Sequence, residues 1–278
     1  MMKLNNGIEC PEIGIGTYML APEDAERSVR EALRMGYRMV DTANAYVNER
    51  ACGRGIRDSG VDRREVFVST KLWPSEYRSP DAVDETLERL GLDYVDLLYI
   101  HQPAGDWLAG YRQLEKAYRE GRARAIGISN FEGKYLDQLS KEWEVVPQFM
   151  QVEAHPYFTQ KELRGIIDPL GIRIMSWYPL GHGDSRLMSE PVFSELGARY
   201  GKTPAQVILR WHIQMGFAVI PGSRNVAHIR DNFDIFDFEL TAEDMARIAE
   251  LDRGERYYHR TDEQLAQFAG WKPGFEER

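Results

Sequence analysis

The sequence predicts a parallel (β/α)8 barrel of the TIM type, and three observations lead there. Short β-branched or aromatic runs alternate with amphipathic stretches along the whole chain. Eight such runs can be read, the number of parallel strands that closes a barrel. The 278 residues, 43% of them hydrophobic, suit a barrel of ~250 residues, and no Gly/Ser linker or charge block divides them. One domain over 1–278 is therefore expected.

The elements follow in order. Residues 3–10, with Asn5-Asn6-Gly7 at the centre, read as a β-hairpin outside the barrel. The strand-like runs are 13–18, 37–42, 66–72, 94–101, 124–129, 148–155, 172–178 and 218–221. Helical patterns lie between them, as over 23–35, 81–90 and 108–120. Ser79-Pro80 offers a capping hydroxyl before a first-turn proline. Thr203-Pro204-Ala205-Gln206 spells a capping box, and Thr241 heads a last amphipathic helix to about Leu251.

The formal charge of -9 repels polyanions, so no nucleic-acid partner is expected. No apolar stretch reaches the ~20 residues of a membrane span, and the first residues lack a signal-peptide core. Cys10 and Cys52 cannot build a disulfide framework and lack zinc spacing. A cytoplasmic location follows.

In such a barrel the chemistry sits where strands end. Asp41, Lys71 and His101 close otherwise apolar runs, and Tyr46 stands in the loop after Asp41. A tyrosine titrates near ~10, and a neighbouring ammonium lowers that value, making the phenol a better proton donor at neutral pH. Asp41 would hold Lys71 charged, and His101 would orient a substrate oxygen. Two other readings stay open on these residues alone. A metal-dependent hydrolase would use Asp41, His101, Glu153 and His155; a cofactor-sensing binding subunit would not turn over at all. The first leaves Tyr46 and Lys71 idle. Glu153 and His155 more readily make a buried hydrogen-bonded pair, so no metal is expected.

The motifs Asp41-Thr42-Ala43 with Tyr46, Lys71-Leu72-Trp73, Ile100-His101-Gln102-Pro103, Gly127-Ile128-Ser129-Asn130-Phe131, Gln151-Val152-Glu153-Ala154-His155-Pro156 and Ile220-Pro221-Gly222-Ser223 carry a resemblance. In order and spacing the chain resembles the aldo-keto reductases over about residues 7–275, in particular bacterial members like the 2,5-diketo-D-gluconate reductases. The resemblance implies carbonyl reduction by a nicotinamide cofactor, with Tyr46 as general acid and Asp41, Lys71 and His101 completing the catalytic set. It implies carboxamide contacts from Ser129, Asn130 and Gln151, stacking by Trp177, and a pyrophosphate along Leu180 and Gly181. Gly16, Thr17, Asp41, Ser223, Arg224, His228 and Asn232 complete the implied cofactor contacts. Tyr18 and Trp73, with Tyr46 and His101, would meet the substrate, a small carbonyl compound. The aromatic tail after Tyr257 would fold over the site, and a monomer is the family default.

Two positions depart from the family pattern. Gly222 stands where a lysine commonly meets the adenosine 2′-phosphate, and His228 where an arginine does. Arg224 lies between and can replace one contact. NADPH is therefore expected as cofactor, with NADH also accepted. Trp107 and the tail aromatics are further candidates for the pocket wall, with simple packing as the alternative.

Overall fold

The computed structural model describes residues 1–276. Strands β1 (Met2–Lys3) and β2 (Glu9–Cys10) pair antiparallel as the expected hairpin. Eight further strands follow: β3 (Ile15–Gly16), β4 (Met39–Asp41), β5 (Phe67–Leu72), β6 (Leu97–Ile100), β7 (Ile126–Ser129), β8 (Phe149–Glu153), β9 (Arg173–Trp177) and β10 (Ala218–Val219). Each lies parallel beside the next, in sequence order. A parallel bridge between Ile13 and Val219 brings the first strand back to the eighth and closes the barrel. Gly14 N–H donates to the Val219 carbonyl at 2.9 Å, and Val219 N–H to that of Glu12 at 2.9 Å.

The helices are α1 (Pro22–Arg34), α2 (Glu49–Ser59), α3 (Ala82–Leu90), α4 (Trp107–Arg119), α5 (Lys134–Leu139), α6 (Lys161–Ile167), α7 (Ser185–Met188), α8 (Pro191–Tyr200), α9 (Pro204–Gln214), α10 (Val226–Phe233), α11 (Ala242–Ala249) and α12 (Asp262–Gly270). All eight expected strand runs contain a barrel strand, each shorter than the apolar run because the hydrogen-bonded ladder covers only its centre. Thr203 and Thr241 both form capping boxes, with Gln206 and Asp244. Ser79 does not cap a helix. Helix α3 starts later, at Ala82, whose N–H meets the Ser79 carbonyl at 3.4 Å to close a turn. Nor is the helix after Thr241 the last, since α12 follows in the tail.

Alternation along the strands builds two cores from one sheet. Outward residues such as Val68, Leu72, Leu98 and Ile100 pack under the helices. Inward residues Met39, Phe67, Leu97, Tyr99, Phe149 and Met175 fill the barrel, joined by Met2, Leu4 and Cys10 of the hairpin. The hairpin plugs the end where strands begin: Asn5 and Asn6 donate to the carbonyls of Pro147 and Arg124, both at 3.1 Å. Tyr99 reaches so far inward that a Cβ on Gly127 would lie 2.3 Å from its ring. Following the same inward rows upward, Phe67 leads through Ser69 to Lys71, Met39 to Asp41, and Leu97 through Tyr99 toward His101. The alternation that fills the barrel thus delivers these polar groups to its upper interior.

Candidate active site

A cleft of about 650 Å³ opens at the end of the barrel where the strands finish. Asp41, Tyr46 and His101 line it, while Lys71 lies fully buried behind them. The Lys71 Nζ donates to Asp41 Oδ2 at 2.6 Å and to the Thr42 carbonyl at 2.7 Å. The other carboxylate oxygen accepts from Ser69 Oγ at 2.7 Å and Gln151 Nε2 at 3.0 Å. This aspartate is held by partners on two other strands, β5 and β8, so it fixes the ammonium that it pairs. Above them, Lys71 Nζ sits 4.9 Å from the centre of the Tyr46 ring. His101 meets Tyr46 edge-on at 5.6 Å between ring centres.

The electrostatics refine the sequence reading. Burial, followed by the negative charge of Asp41, pushes the Tyr46 phenol well above its ordinary range. The expected acidification by Lys71 is not the dominant influence in this state. The ammonium lies over the ring face, and burial pulls its own value down against the opposing pull of Asp41. Burial and then Lys71 hold His101 well below the usual histidine range, so its ring is neutral. Its Nδ1 is buried without a partner.

The implied cofactor residues divide into two sets. Gly16, Ser129, Asn130, Gln151, Trp177 and Leu180 line the cleft. Trp177 Nε1 donates to Asn130 Oδ1 at 3.2 Å, which sets the indole against the end of β7. Thr17, Gly181, Ser223, Arg224, His228 and Asn232 are not in the cleft wall. Thr17 is buried and its hydroxyl donates to the Asp41 carbonyl at 3.1 Å, bracing the β4 end. Gly181 turns the chain with φ 65° behind Leu180, backed by Leu187 and Tyr257. Arg224 and His228 are exposed beside and on α10, while Asn232 is buried within it. Gly222 does line the cleft, and its Cα lies so close to the β3 end that an added Cβ would stand 2.8 Å from the Gly16 carbonyl. The lysine of the family pattern would require this backbone to shift.

On the other flank, Tyr18 and Trp73 line the cleft as expected. Trp107 does not: it begins α4 and packs edge-on against Phe131, 5.8 Å between ring centres. The tail supplies wall residues instead, namely Tyr258, Phe268 and Trp271. Trp73 packs edge-on against His101, Phe268 and Trp271, at 5.1, 5.3 and 5.0 Å. Glu153 and His155 form the buried pair, 2.9 Å apart, and Glu153 also accepts the amides of Tyr257 at 2.6 Å and Tyr258 at 3.0 Å. The pair thus anchors the tail. Met19, Gln102, Tyr178 and His182 line the cleft without having been singled out. Tyr178 and His182 stack at 4.1 Å, both with left-handed backbone; an aromatic next to Trp177 was the one signal for them.

Comparison with known proteins agrees with this geometry. The chain is 43% identical over 269 residues to the glyoxal reductase of Bacillus subtilis, covering 95% of this chain and 97% of that protein. Among solved structures, MGS-M4, an aldo-keto reductase from a deep-sea metagenome library, superposes with a TM-score of 0.91 at 37% identity, over 94% of this chain and 98% of that one. An aldo-keto reductase of Bombyx mori in complex with NADP superposes with a TM-score of 0.88 at 32% identity, over 95% and 96%. The model of the aldo/keto reductase family matches residues 12–253, and this chain belongs to that family.

Proposed function

We propose that the protein reduces small aldehydes or ketones to alcohols with a nicotinamide cofactor, Tyr46 supplying the proton. One observation carries this reading: a fully buried Lys71–Asp41 ion pair beneath a tyrosine, with a neutral histidine edge-on to it, at the base of an aromatic cleft.

The cleft fits a nicotinamide dinucleotide. Hydroxyl and amide groups of Ser129, Asn130 and Gln151 stand beside the Trp177 ring, and Gly16 and Gly222 keep the neighbouring wall free of side chains. When bound, the reduced nicotinamide supplies the hydride. The chain's own residues do the rest. Tyr46 keeps its proton at neutral pH and so enters as the donor. As the proton leaves for the substrate oxygen, Lys71 steadies the charge growing on the phenol. Asp41 keeps Lys71 in place, and neutral His101 offers a ring N–H to the same oxygen. Trp73, Tyr18 and the tail aromatics hold the substrate body.

NADPH is the proposed cofactor with NADH also accepted, because exposed Arg224 and His228 can still offer charge to a 2′-phosphate while Gly222 offers none. Buried free thiols at Cys10 and Cys52 support a reducing cytoplasm, and no described helix is long and apolar enough to cross a membrane. The protein works as a monomer, as one domain and without nucleic acid or metal. The deciding experiment is steady-state kinetics over a panel of carbonyls with NADPH and with NADH. Turnover of dicarbonyls or small aldehydes supports the reading; no turnover with either cofactor overturns it.

A further inference from the structure

Gln102 follows His101 directly, just beyond the end of β6 at Ile100, and both residues line the cleft. Strand alternation no longer applies there, so consecutive residues can face the same space. The main chain of Gln102 is clamped by Tyr77: the Tyr77 hydroxyl donates to the Gln102 carbonyl at 2.8 Å and accepts its N–H at 3.0 Å. Tyr77 is itself buried, so the clamp is rigid. The side chain is left free of that clamp. Gln102 is only 7% exposed, yet its Oε1 is buried without any hydrogen-bond partner. A buried polar atom with no partner is costly, and the cost is relieved by whatever brings one.

The surroundings do not supply that partner. The Trp73 indole N–H is spent on the Trp271 carbonyl at 3.1 Å. Phe268 adds only a hydrocarbon wall. On the reading that His101 and Tyr46 address the reacting oxygen, the Gln102 carboxamide meets the atoms next to it. We propose that Gln102 determines specificity, favouring carbonyl substrates with a hydroxyl group on the carbon beside the reacting carbonyl. A hydroxyl both donates and accepts, so it satisfies this carboxamide whichever end it turns to the cleft. An aliphatic group of the same size leaves the buried amide unpaired, which is how a polar site rejects an apolar isostere.

This inference rests on the reductase reading above, and its test separates the two. Hydroxyacetone and butanone have the same shape and size, differing by hydroxyl against methyl. The ratio of their kcat/KM values is measured in the wild type, in Gln102→Leu and in Gln102→Met, the last in case the branched side chain does not fold. Comparing ratios between variants cancels the intrinsic reactivity of each ketone. The expected result is an about tenfold fall in the hydroxyacetone preference in either variant, with butanone reduced as well as before or better. If the wild type reduces both ketones and the ratio is unmoved in a folded variant, the inference alone is overturned. If both ketones lose rate equally, Gln102 is only scaffold and the inference again fails. A wild type that reduces no carbonyl overturns the reductase reading and this inference with it.

Discussion

The indole N–H of Trp73 donates to the main-chain carbonyl of Trp271 at 3.1 Å, tying the loop after β5 to a segment 198 residues later. The same tryptophan is fixed from behind, where its main-chain N–H donates to Asn44 Oδ1 at 3.0 Å. Asn44 lies in the turn that carries Tyr46. The turn of Tyr46, the cleft wall and the tail are therefore linked through one residue.

Trp73→Phe keeps an aromatic face but removes the indole donor. A single hydrogen bond of this kind changes an equilibrium by roughly 2- to 10-fold. KM for bulky carbonyls should rise by about that factor, with kcat for the smallest aldehydes nearly unchanged. Limited proteolysis in the tail should also accelerate. Equal protease resistance and unchanged KM would show that the tail is held without this bond.

Tyr46→Phe should lower carbonyl reduction by about 10²–10⁴-fold, the usual worth of a positioned general acid. Cofactor affinity, read by quenching of tryptophan fluorescence, should stay within a few-fold. Retention of full activity would remove Tyr46 from the mechanism.

Lys71→Met strands the Asp41 carboxylate among buried groups. Breaking a buried ion pair in this way costs about 3–5 kcal/mol, so Tm should fall sharply along with activity. Adding Asp41→Asn removes the stranded charge and should return part of the stability, but none of the activity. A double variant no more stable than Lys71→Met would contradict the pairing.

Two neutral histidines make stability depend on pH. Burial holds His101 well below the usual range and His212 down to about 4. The unfolded chain binds protons near ~6.5 that the folded chain refuses. Their contribution is therefore complete above about pH 6.5 and is lost as pH falls toward 4, by on the order of 1–3 kcal/mol. Thermal melts between pH 7 and 5 should show the decline, and His212→Gln should flatten it. A melting temperature constant across that interval argues against both groups.

Arg224→Ala should reduce the affinity for NADPH relative to NADH by about twofold to fivefold, the scale of one exposed cationic contact. Fluorescence titration with each cofactor measures it directly. An unchanged ratio would mean that Arg224 makes no contact with the phosphate. Gly222→Lys should not simply restore an additional contact, because its Cβ would press on the Gly16 carbonyl.

The barrel was legible because each strand is a short apolar run between amphipathic stretches, and burial on both faces demands that pattern. Asp41, Lys71 and His101 stood out as polar groups closing such runs, and alternation carries them inward as expected. The tail helix α12 was not legible. Its aromatics face the barrel mouth, a surface that no local periodicity encodes. Trp107 misled for the matching reason, since its partner Phe131 is distant in sequence. Gln102 carried no signal because what marks it is a hydrogen-bond partner that its Oε1 lacks. The glycine at 222 was read as a lost charge, and the nearness of the Gly16 carbonyl, a contact between distant strand ends, gave no sign in the sequence.

The Glu153 carboxylate grips the tail by the amides of Tyr257 and Tyr258, groups that every residue but proline possesses. Side chains in that stretch can therefore drift without loosening the grip that presents them. Exchanging side chains along the strap alone should shift which compounds the cleft accepts, while Tyr46, Lys71 and Asp41 beneath stay where they are.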